Sequence, residues 1–274
     1  MQYNPAPIGV EVRGIDLKQH VPDQIIQQIK KDVHKHRLLI FKNQGIISAD
    51  RHVEISRWFG ELESTFYKHP KSPHPDVFRV SNCEEEGCTN VGRTGWHIDG
   101  SFMEKPFSYA LYHMVAVPKN GNTAFVPLKE LVESLSEETR VQWERLWRTD
   151  HHYQVIHPLI YQHPVTGDPT LCFHLGMTGC FILDYDTKNA KRTNRRETHQ
   201  ILQEMFEEIT KNNNRLVYSH KWEVGDFIIS DNLAVGHEAT PETQLSVEEV
   251  GLRVLHRTTV AGKWTPVKSR KTEQ

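Results

Sequence analysis

The chain has 274 residues, of which 37% are hydrophobic and 25% are charged, so it can bury a large core and lacks the composition of a disordered protein. Its formal net charge of −2 argues against a dedicated nucleic-acid-binding protein. No stretch approaches the ~18 apolar residues of a membrane span, and no secretory signal is visible at the start. Four cysteines without CxxC spacing predict free thiols, and we expect a cytoplasmic protein.

Short strands with inserted helices dominate the predicted elements. Apolar side chains three or four residues apart predict the helices, and short apolar runs between glycine, proline and asparagine turns predict the strands. The stretch from Glu61 to Arg93 is rich in proline, histidine and serine and predicts a long binding loop with one strand at 77–80. In chain order, the other predicted elements are a strand ending at Gly14, helix 22–36, strand 38–41, helix 49–59, strands 96–102, 109–116 and 122–126, helices 128–135 and 137–147, strands 154–160 and 170–173, helix 196–211, and strands 216–220, 226–230 and 253–260.

This order of elements predicts a mainly β fold with α decoration. Its core is expected to be a double-stranded β-helix, or jelly roll, with helices inserted between the strands. All-β domains often reach this length, so we expect a single domain over 1–274 with a short disordered basic tail at about 266–274.

A histidine and an aspartate lie two residues apart in Gly95-Trp96-His97-Ile98-Asp99-Gly100. About one such pair is expected by chance among 17 histidines, and His74-Pro75-Asp76 is another. The central proline of that second pair disfavours a strand and predicts a surface loop. Within the predicted strand 96–102, alternation would place His97 and Asp99 on one face, where both can bind one metal ion.

The third ligand must come from elsewhere, and His237, just after the predicted strand 226–230, is the best candidate. Two histidines and one carboxylate form the facial triad of non-haem iron(II) oxygenases. The residues alone leave two alternatives open. A zinc hydrolase can use the same three ligands, and a non-catalytic jelly-roll binding protein can simply pack the histidines in its core.

The sequence resembles the taurine dioxygenase (TauD/TfdA) family of Fe(II)/2-oxoglutarate-dependent dioxygenases over most of its length. Each matching motif is weak, but their joint order and spacing are specific. The motifs are Ile8-Gly9-Val10-Glu11-Val12-Arg13-Gly14-Ile15-Asp16, Leu39-Ile40-Phe41-Lys42-Asn43-Gln44, Arg57-Trp58-Phe59-Gly60-Glu61-Leu62, Trp96-His97-Ile98-Asp99, Gly121-Asn122-Thr123, His163-Pro164-Val165-Thr166-Gly167, Gly225-Asp226-Phe227-Ile228-Ile229-Ser230-Asp231-Asn232 and Arg253-Val254-Leu255-His256-Arg257.

The resemblance implies a role for each matched site residue. His97, Asp99 and His237 would hold iron(II), and Thr123 and Arg253 would bind the co-substrate 2-oxoglutarate, with O2 as the oxidant. The expected reaction hydroxylates a C–H bond and releases succinate and CO2, although desaturation or C–heteroatom cleavage stays open. Asp99 argues against halogenation, which in related enzymes needs that position vacated for chloride.

The substrate pocket implied by the resemblance contains Arg257, Arg93, Phe102 and Glu63. Arg257 would bind a substrate anion, with a salt bridge at the barrel rim as the structural alternative. Arg93 and Glu63 lie near positions where the taurine-specific members have asparagine and histidine, so taurine itself is not the expected substrate. We expect a small, anionic substrate, such as a sulfonate, phosphonate, carboxylate or amino acid. No nucleic-acid or membrane partner is expected, and a homo-oligomer is compatible with the sequence.

The sequence departs from the family pattern around the co-substrate site. Asn122 replaces the aspartate that family members often have before the threonine. The segment between His237 and Arg253 is longer than in the taurine enzymes, which makes Arg253 the less direct assignment. If Arg253 does not anchor 2-oxoglutarate, Arg257 is the alternative.

Overall fold

The computed structural model describes residues 1–64, 68–92, 95–150 and 155–268, where many short strands alternate with helices. The strands are β1 (Gln2–Pro5), β2 (Val10–Arg13), β3 (Leu38–Phe41), β4 (Phe78–Ser81), β5 (Tyr109–Ala116), β6 (Thr123–Pro127), β7 (Leu146–Asp150), β8 (Ile156–Pro158), β9 (Ile160–Gln162), β10 (Pro169–Leu171), β11 (Thr178–Leu183), β12 (Lys191–Arg192), β13 (Tyr218–His220), β14 (Phe227–Asp231), β15 (Val235–Ala239) and β16 (Val254–Val260). The helices are α1 (Asp23–His36), α2 (Ala49–Arg57), α3 (Leu128–Glu133), α4 (Glu137–Glu144), α5 (Arg195–Asn214) and α6 (Val247–Val250), with a 3₁₀ turn at Pro241–Gln244.

Two sheets enclose the central core. The larger has seven strands in the order β1-β2-β3-β14-β5-β16-β4, and the smaller has the order β13-β6-β15. Side chains from both sheets pack together between them, including Ile40, Ile228 and Tyr112 from the large sheet and Phe125 and Val235 from the small one. Two further sheets, β12-β11-β7-β8 and β10-β9, share no strand with these two.

Alternation along the strands explains why their apolar runs are unbroken. In β3, Leu38 and Ile40 belong to the core between the sheets, whereas Leu39 and Phe41 pack with residues of α1 and α2. A strand that is covered on both faces has no polar side, and each fully buried side chain of this size contributes about 1.5–3 kcal/mol. The outer face of the large sheet is thus covered by helices, and its inner face packs against the small sheet.

A third cluster covers the outer face of the small sheet. Ala124 and Val126 of β6 pack with Ile201 and Met205 of α5. The inner face of the same strand carries Phe125. The small sheet, which bears part of the candidate site, is therefore packed on both sides.

The predicted strand over 96–102 is wrong. Only His97 makes bridge contacts, one to His174 and one to His237, and the chain turns from Asp99 onward. Gly95 and Gly100 have φ angles of 89° and 73°, which interrupt an extended chain on both sides. A side chain at position 100 would also collide with Phe107, since a Cβ there would lie 2.9 Å from that residue.

Other predicted elements are confirmed to within a few residues, with exceptions in the second half of the chain. The helix predicted over 137–147 ends at Glu144, because the chain joins a sheet as β7 two residues later. Strands β11, β12 and β15 and helix α6 were also not predicted, and His237 lies on β15. The strand expected over 154–160 is divided between β8 and β9, which belong to different sheets. Gln154, where a strand was expected to begin, is outside the described residues.

The remaining sequence expectations concern cysteines, membranes and the tail. All four cysteines are free thiols. Among the described helices, none combines the length and the apolarity that crossing a bilayer requires. Residues 269–274 of the expected tail are outside the described residues, while Lys268 lies over the Trp147 ring, 5.8 Å from its centroid.

Candidate metal and co-substrate site

The structure brings the three predicted metal ligands together. His97, Asp99 and His237 are buried, and their ligand atoms all lie within 4.8 Å of one another. Nε2 of His97 is 3.8 Å from Oδ1 of Asp99, and Nε2 of His237 is 3.6 Å from Oδ2 of the same carboxylate. The three residues can therefore face one ion placed between them.

Backbone contacts and one amide side chain hold His97 and Asp99 in place, although neither lies on a regular strand. His97 and His237 exchange backbone hydrogen bonds of 3.0 and 2.9 Å. Asn232, at the end of β14, accepts from the N–H of Asp99 and donates to its carbonyl oxygen, both at 2.9 Å. The Asn232 amide thus supplies the two backbone hydrogen bonds that a neighbouring strand would otherwise make to Asp99.

Hydrogen bonding sets the His97 tautomer. Its Nδ1–H donates to the carbonyl of Gly95 at 2.8 Å, so Nε2 presents its lone pair to Asp99 and His237. Burial lowers the pKa of His97, and burial and nearby His97 lower that of His237 to about 3. Both rings are therefore neutral at neutral pH, as metal binding requires.

Asp99 supplies the negative charge of the cluster. Burial alone would raise its pKa, but the positively charged Arg257 guanidinium lowers it overall, so the carboxylate is ionised. Its Oδ2 is buried and has no hydrogen-bond partner among the residues that the structure describes. A buried carboxylate oxygen without a donor fits a metal ligand, and two imidazoles with one carboxylate fit iron(II).

Both residues that the resemblance assigns to the co-substrate, Arg253 and Thr123, are buried. Arg253, just before β16, is 2% exposed, and its Nε has no hydrogen-bond partner within the described parts of the chain. Burial lowers its pKa to about 10, so it stays protonated at neutral pH. Thr123 of β6 accepts a 3.0 Å hydrogen bond from Nε1 of Trp222, and a hydroxyl that accepts in this way can still donate its own proton.

Arg257 forms a salt bridge, which the sequence analysis gave as its alternative role, with Asp99 as a partner that was not predicted. Its Nη1 donates to Oδ1 of Asp99 at 2.7 Å, and its guanidinium lies over the Phe78 ring, 4.9 Å from the centroid. The ion pair is buried rather than at a rim, because both side chains are under a tenth exposed. Nε of Arg257 is also buried without a partner among the described residues, so one edge of its fork is unused.

The other expected pocket residues differ in what can be said of them. Glu63 is half-buried, and its backbone pairs with Thr259, two residues beyond Arg257 on β16. Phe102 is half-buried in the turn after Asp99. Arg93 lies outside the described residues.

Two aromatic residues at the site were not predicted. Tyr112 of β5 is buried, and its hydroxyl lies 3.3 Å from Nε2 of His237. His174 stacks on His97 with 4.5 Å between ring centroids, and its buried Nδ1 has no partner in the described part of the chain. Strand alternation puts Tyr112 on the inner face of β5 with Ala110 and Met114, which was the one available signal.

A second cluster has the same composition. His34, His163 and Asp231 also have ligand atoms within 4.8 Å of one another. Nδ1 of His163 accepts backbone hydrogen bonds from Val165 and Thr166, so its proton is on Nε2, which donates to Asp231 at 3.2 Å. A neutral ring has only one free lone pair, and here the backbone already uses it.

Comparisons with known proteins agree with this geometry. The model of the taurine catabolism dioxygenase TauD, TfdA family matches residues 2–259. The chain is 25% identical over 252 residues to the alpha-ketoglutarate-dependent 2,4-dichlorophenoxyacetate dioxygenase of Cupriavidus pinatubonensis, covering 82% of this chain and 86% of that protein. It is 23% identical over 286 residues to the alpha-ketoglutarate-dependent sulfate ester dioxygenase of Pseudomonas putida, covering 93% and 87%. A crystal structure of a taurine dioxygenase from Burkholderia xenovorans superposes with a TM-score of 0.77 at 26% identity, covering 97% of this chain and 91% of that one.

The fold and the site together define a class of enzyme. The protein is a non-haem iron(II) oxidoreductase that uses 2-oxoglutarate and O2. More particularly, the chain belongs to the TauD/TfdA family of dioxygenases. This membership sets aside the zinc hydrolase and the non-catalytic binding protein.

Proposed function

We propose that this dioxygenase hydroxylates a C–H bond of a small anionic substrate and releases succinate and CO2. One observation carries the proposal. Two buried arginines, Arg253 and Arg257, each keep an Nε–H group without a hydrogen-bond partner among the described residues. Buried cationic donors without partners are costly, so such groups favour anionic ligands.

The proposed metal ligands are Nε2 of His97, Nε2 of His237 and Oδ2 of Asp99. Iron(II), when bound, supplies the activation of O2 that is coupled to the decarboxylation of 2-oxoglutarate. The protein supplies orientation: the His97 tautomer is held by Gly95, and the Asp99 backbone is held by Asn232. With three protein ligands of this kind, a bound iron(II) would keep open positions for the co-substrate and O2.

The proposed co-substrate site uses Arg253 for the distal carboxylate of 2-oxoglutarate and the Thr123 hydroxyl as a second donor. A guanidinium binds a carboxylate through two parallel hydrogen bonds, which lysine cannot do. The Arg253 backbone is fixed on both sides, since its N–H donates to Asn82 at 2.8 Å and its carbonyl accepts from Ser81 at 2.7 Å. The guanidinium is therefore presented from a rigid base.

Charge supports an anionic substrate. Iron(II), Arg253 and Arg257 together exceed the single charge of Asp99 by about three positive charges, and 2-oxoglutarate compensates two of them. One further negative charge on the substrate would neutralise the buried site. The unused Nε–H edge of Arg257 can bind that anion while Nη1 keeps its contact with Asp99.

The remaining assignments are part of the same proposal. Phe102 would form a wall of the pocket, and Arg93 and Glu63 would contact the substrate from the preceding loops, with Glu63 facing any substrate amine. The proposed core is a jelly roll formed by the two facing sheets, within one catalytic domain over 1–274. A cytoplasmic location, a homo-oligomer and the absence of a nucleic-acid partner stay predictions.

The test compares matched substrates that differ only in charge. Protein reconstituted with iron(II) and 2-oxoglutarate is assayed for succinate and hydroxylated product with aryloxyacetates, alkyl sulfates and alkyl sulfonates, each beside its neutral amide or alcohol. We expect coupled turnover with the anions and a loss of the preference for anions in Arg257→Gln. Arg145→Gln, which removes an exposed arginine paired with Asp184, is the matched control. Equal or better turnover of the neutral analogues would overturn the proposal.

A further inference from the structure

Tyr112 is the one phenol that the described structure places against a candidate metal-binding atom. Its hydroxyl lies 3.3 Å from Nε2 of His237, the nitrogen that also faces Oδ2 of Asp99 at 3.6 Å. The side chain is 3% exposed and its ring packs edge-on against His237 and Phe125. The ring is thus fixed by packing, and the hydroxyl is the part that reaches the site.

The present partner of this hydroxyl is not available when a metal is bound. Nε2 of a neutral His237 has one lone pair, which either accepts from the phenol or binds the ion. With the ion bound, the phenol needs another acceptor, because a buried hydroxyl without one is costly. The nearby buried acceptor is Oδ2 of Asp99, which lacks a donor among the described residues and has lone pairs enough to bind the ion and accept from the phenol.

The other oxygen of that carboxylate is already occupied. Nη1 of Arg257 donates to Oδ1 at 2.7 Å, and Tyr112 and Arg257 are directly paired on neighbouring strands β5 and β16. The two side chains therefore approach Asp99 from adjacent positions of one sheet. A carboxylate with a donor on each oxygen cannot easily rotate or bind the ion through both oxygens.

We propose that Tyr112 is a positioning residue for the metal ligand Asp99: with a metal on Nε2 of His237, its phenol donates to Oδ2 while Arg257 holds Oδ1. This inference rests on the proposed ligand set of His97, Asp99 and His237. It assigns Tyr112 to binding geometry and not to direct contact with substrate. A tyrosine hydroxyl is both a donor and an acceptor, so the phenol has a proton to donate at neutral pH.

The first experiment compares Tyr112→Phe with Tyr109→Phe in the full chain. Tyr109 lies on the same strand and also has a hydrogen-bonded hydroxyl, but its partner, 2.9 Å away, is Nε2 of His34, which belongs to the second cluster. Dissociation constants for Co(II) and Mn(II) are measured without 2-oxoglutarate, and unfolding is followed to confirm that both variants fold. We expect weaker metal binding by about 10- to 100-fold in Tyr112→Phe and by less than about twofold in Tyr109→Phe.

A spectroscopic readout separates positioning from general damage. Under anaerobic conditions the charge-transfer absorption of the iron(II)·2-oxoglutarate complex should shift in energy in Tyr112→Phe and stay unchanged in Tyr109→Phe. Wild-type metal affinity and an unshifted band in Tyr112→Phe would overturn the inference. The proposed ligand set fails separately, if His97→Ala binds metal as well as the wild type does.

The double variant Tyr112→Phe/Arg257→Gln tests whether both residues act on one carboxylate. Residues that hold the same group have non-additive effects. We expect the loss of metal affinity in the double variant to differ at least about threefold from the product of the two single losses. A simple product would mean that Tyr112 acts elsewhere, and it would overturn the proposed contact with Asp99.

Discussion

Two clusters in this protein contain two histidines and one aspartate, and only one of them suits a metal. In the site cluster, His97 donates through Nδ1 to Gly95, so its Nε2 is free. In the second cluster, His163 accepts through Nδ1 from the backbone, so its Nε2 carries the proton and donates to Asp231. In both rings Nε2 faces the aspartate. The hydrogen bond that Nδ1 makes on the other side therefore decides whether Nε2 has a lone pair for an ion.

The two aspartates differ in the same way. Oδ2 of Asp99 has no donor among the described residues, whereas both oxygens of Asp231 accept hydrogen bonds, from His163, His34 and the Leu233 N–H. The second cluster joins α1, the turn after β9 and the end of β14 through satisfied contacts. It is a structural clamp, and composition and proximity alone would not have told it from the metal site.

The largest effect should come from removing one histidine from each cluster. His97→Ala loses a direct ligand, and we expect at least about a 1,000-fold loss of Mn(II) affinity and of turnover, beyond the 10- to 100-fold that supporting residues contribute. His163→Ala should keep the metal affinity of the folded protein and lose stability instead. Titration with Mn(II) and urea unfolding measure the two. A loss of metal affinity in His163→Ala as large as that in His97→Ala would contradict the proposed difference between the two clusters.

Arg253→Ala tests whether a buried donor without a partner in the candidate site binds the co-substrate. It removes the charged partner proposed for 2-oxoglutarate in a buried site, which costs roughly 2–5 kcal/mol, or about 30- to several-thousand-fold in 2-oxoglutarate affinity. Binding of 2-oxoglutarate to the Mn(II)-loaded protein is the measurement. If Arg253→Ala keeps its affinity for 2-oxoglutarate, Arg257 would be the residue that binds the distal carboxylate. Arg257→Gln should then be the variant that weakens 2-oxoglutarate binding.

Asp231→Asn tests the clamp. The amide replaces one acceptor oxygen with an N–H2 group that faces a histidine N–H, so one buried donor is left unpaired. We expect the free energy of unfolding to fall by about 2 kcal/mol, with unchanged metal affinity in the folded protein. A loss of metal binding without a loss of stability would show that the clamp serves the site directly.

The smallest effect concerns how the free energy of unfolding of the metal-free protein depends on pH. The pKa of His237 falls from 6.5 to about 3 on folding, because burial disfavours the charged ring. Below pH 6.5 the unfolded chain therefore takes up a proton that the folded chain refuses until about pH 3, and stability falls as the pH is lowered. Between pH 7.5 and 5.5 this amounts to about 1.4 kcal/mol, which His237→Gln should remove from the measured decrease.

The control for this experiment is His199→Gln, which removes an exposed histidine from α5. Chelator is present throughout, so that metal binding does not mask the protonation. Urea unfolding at both pH values gives the four free energies that are needed. An equal decrease in His237→Gln and in the wild type would contradict the burial of a neutral ring at this position.

The grouping of His97, Asp99 and His237 could be predicted because its signal is local or lies in specific motifs. His97 and Asp99 are two residues apart, and His237 follows an apolar strand that glycine and aspartate introduce. The clustering of the three was correct although the strand proposed to carry two of them was wrong. The glycines at 95 and 100 were the available warning, since both adopt positive φ angles.

The parts that could not be predicted depend on contacts between distant segments. The Asn232 amide meets Asp99 across 133 residues of sequence, and Tyr112 meets His237 across 125. Strand β15 was missed because Val-Gly-His-Glu-Ala has little β propensity, and its pairing with β6 gives it its conformation. Local pattern carries no information about such juxtapositions.

The Asn232 amide has a consequence for how this enzyme can evolve. It binds the N–H and the carbonyl oxygen of Asp99, and neither bond involves the carboxylate. The shape of the loop is thus independent of the side chain that it presents. A smaller residue at position 99 can therefore leave the loop in place while it removes the carboxylate from the site. Natural variation at this one codon can change what the loop offers to the site while the surrounding scaffold is inherited unchanged.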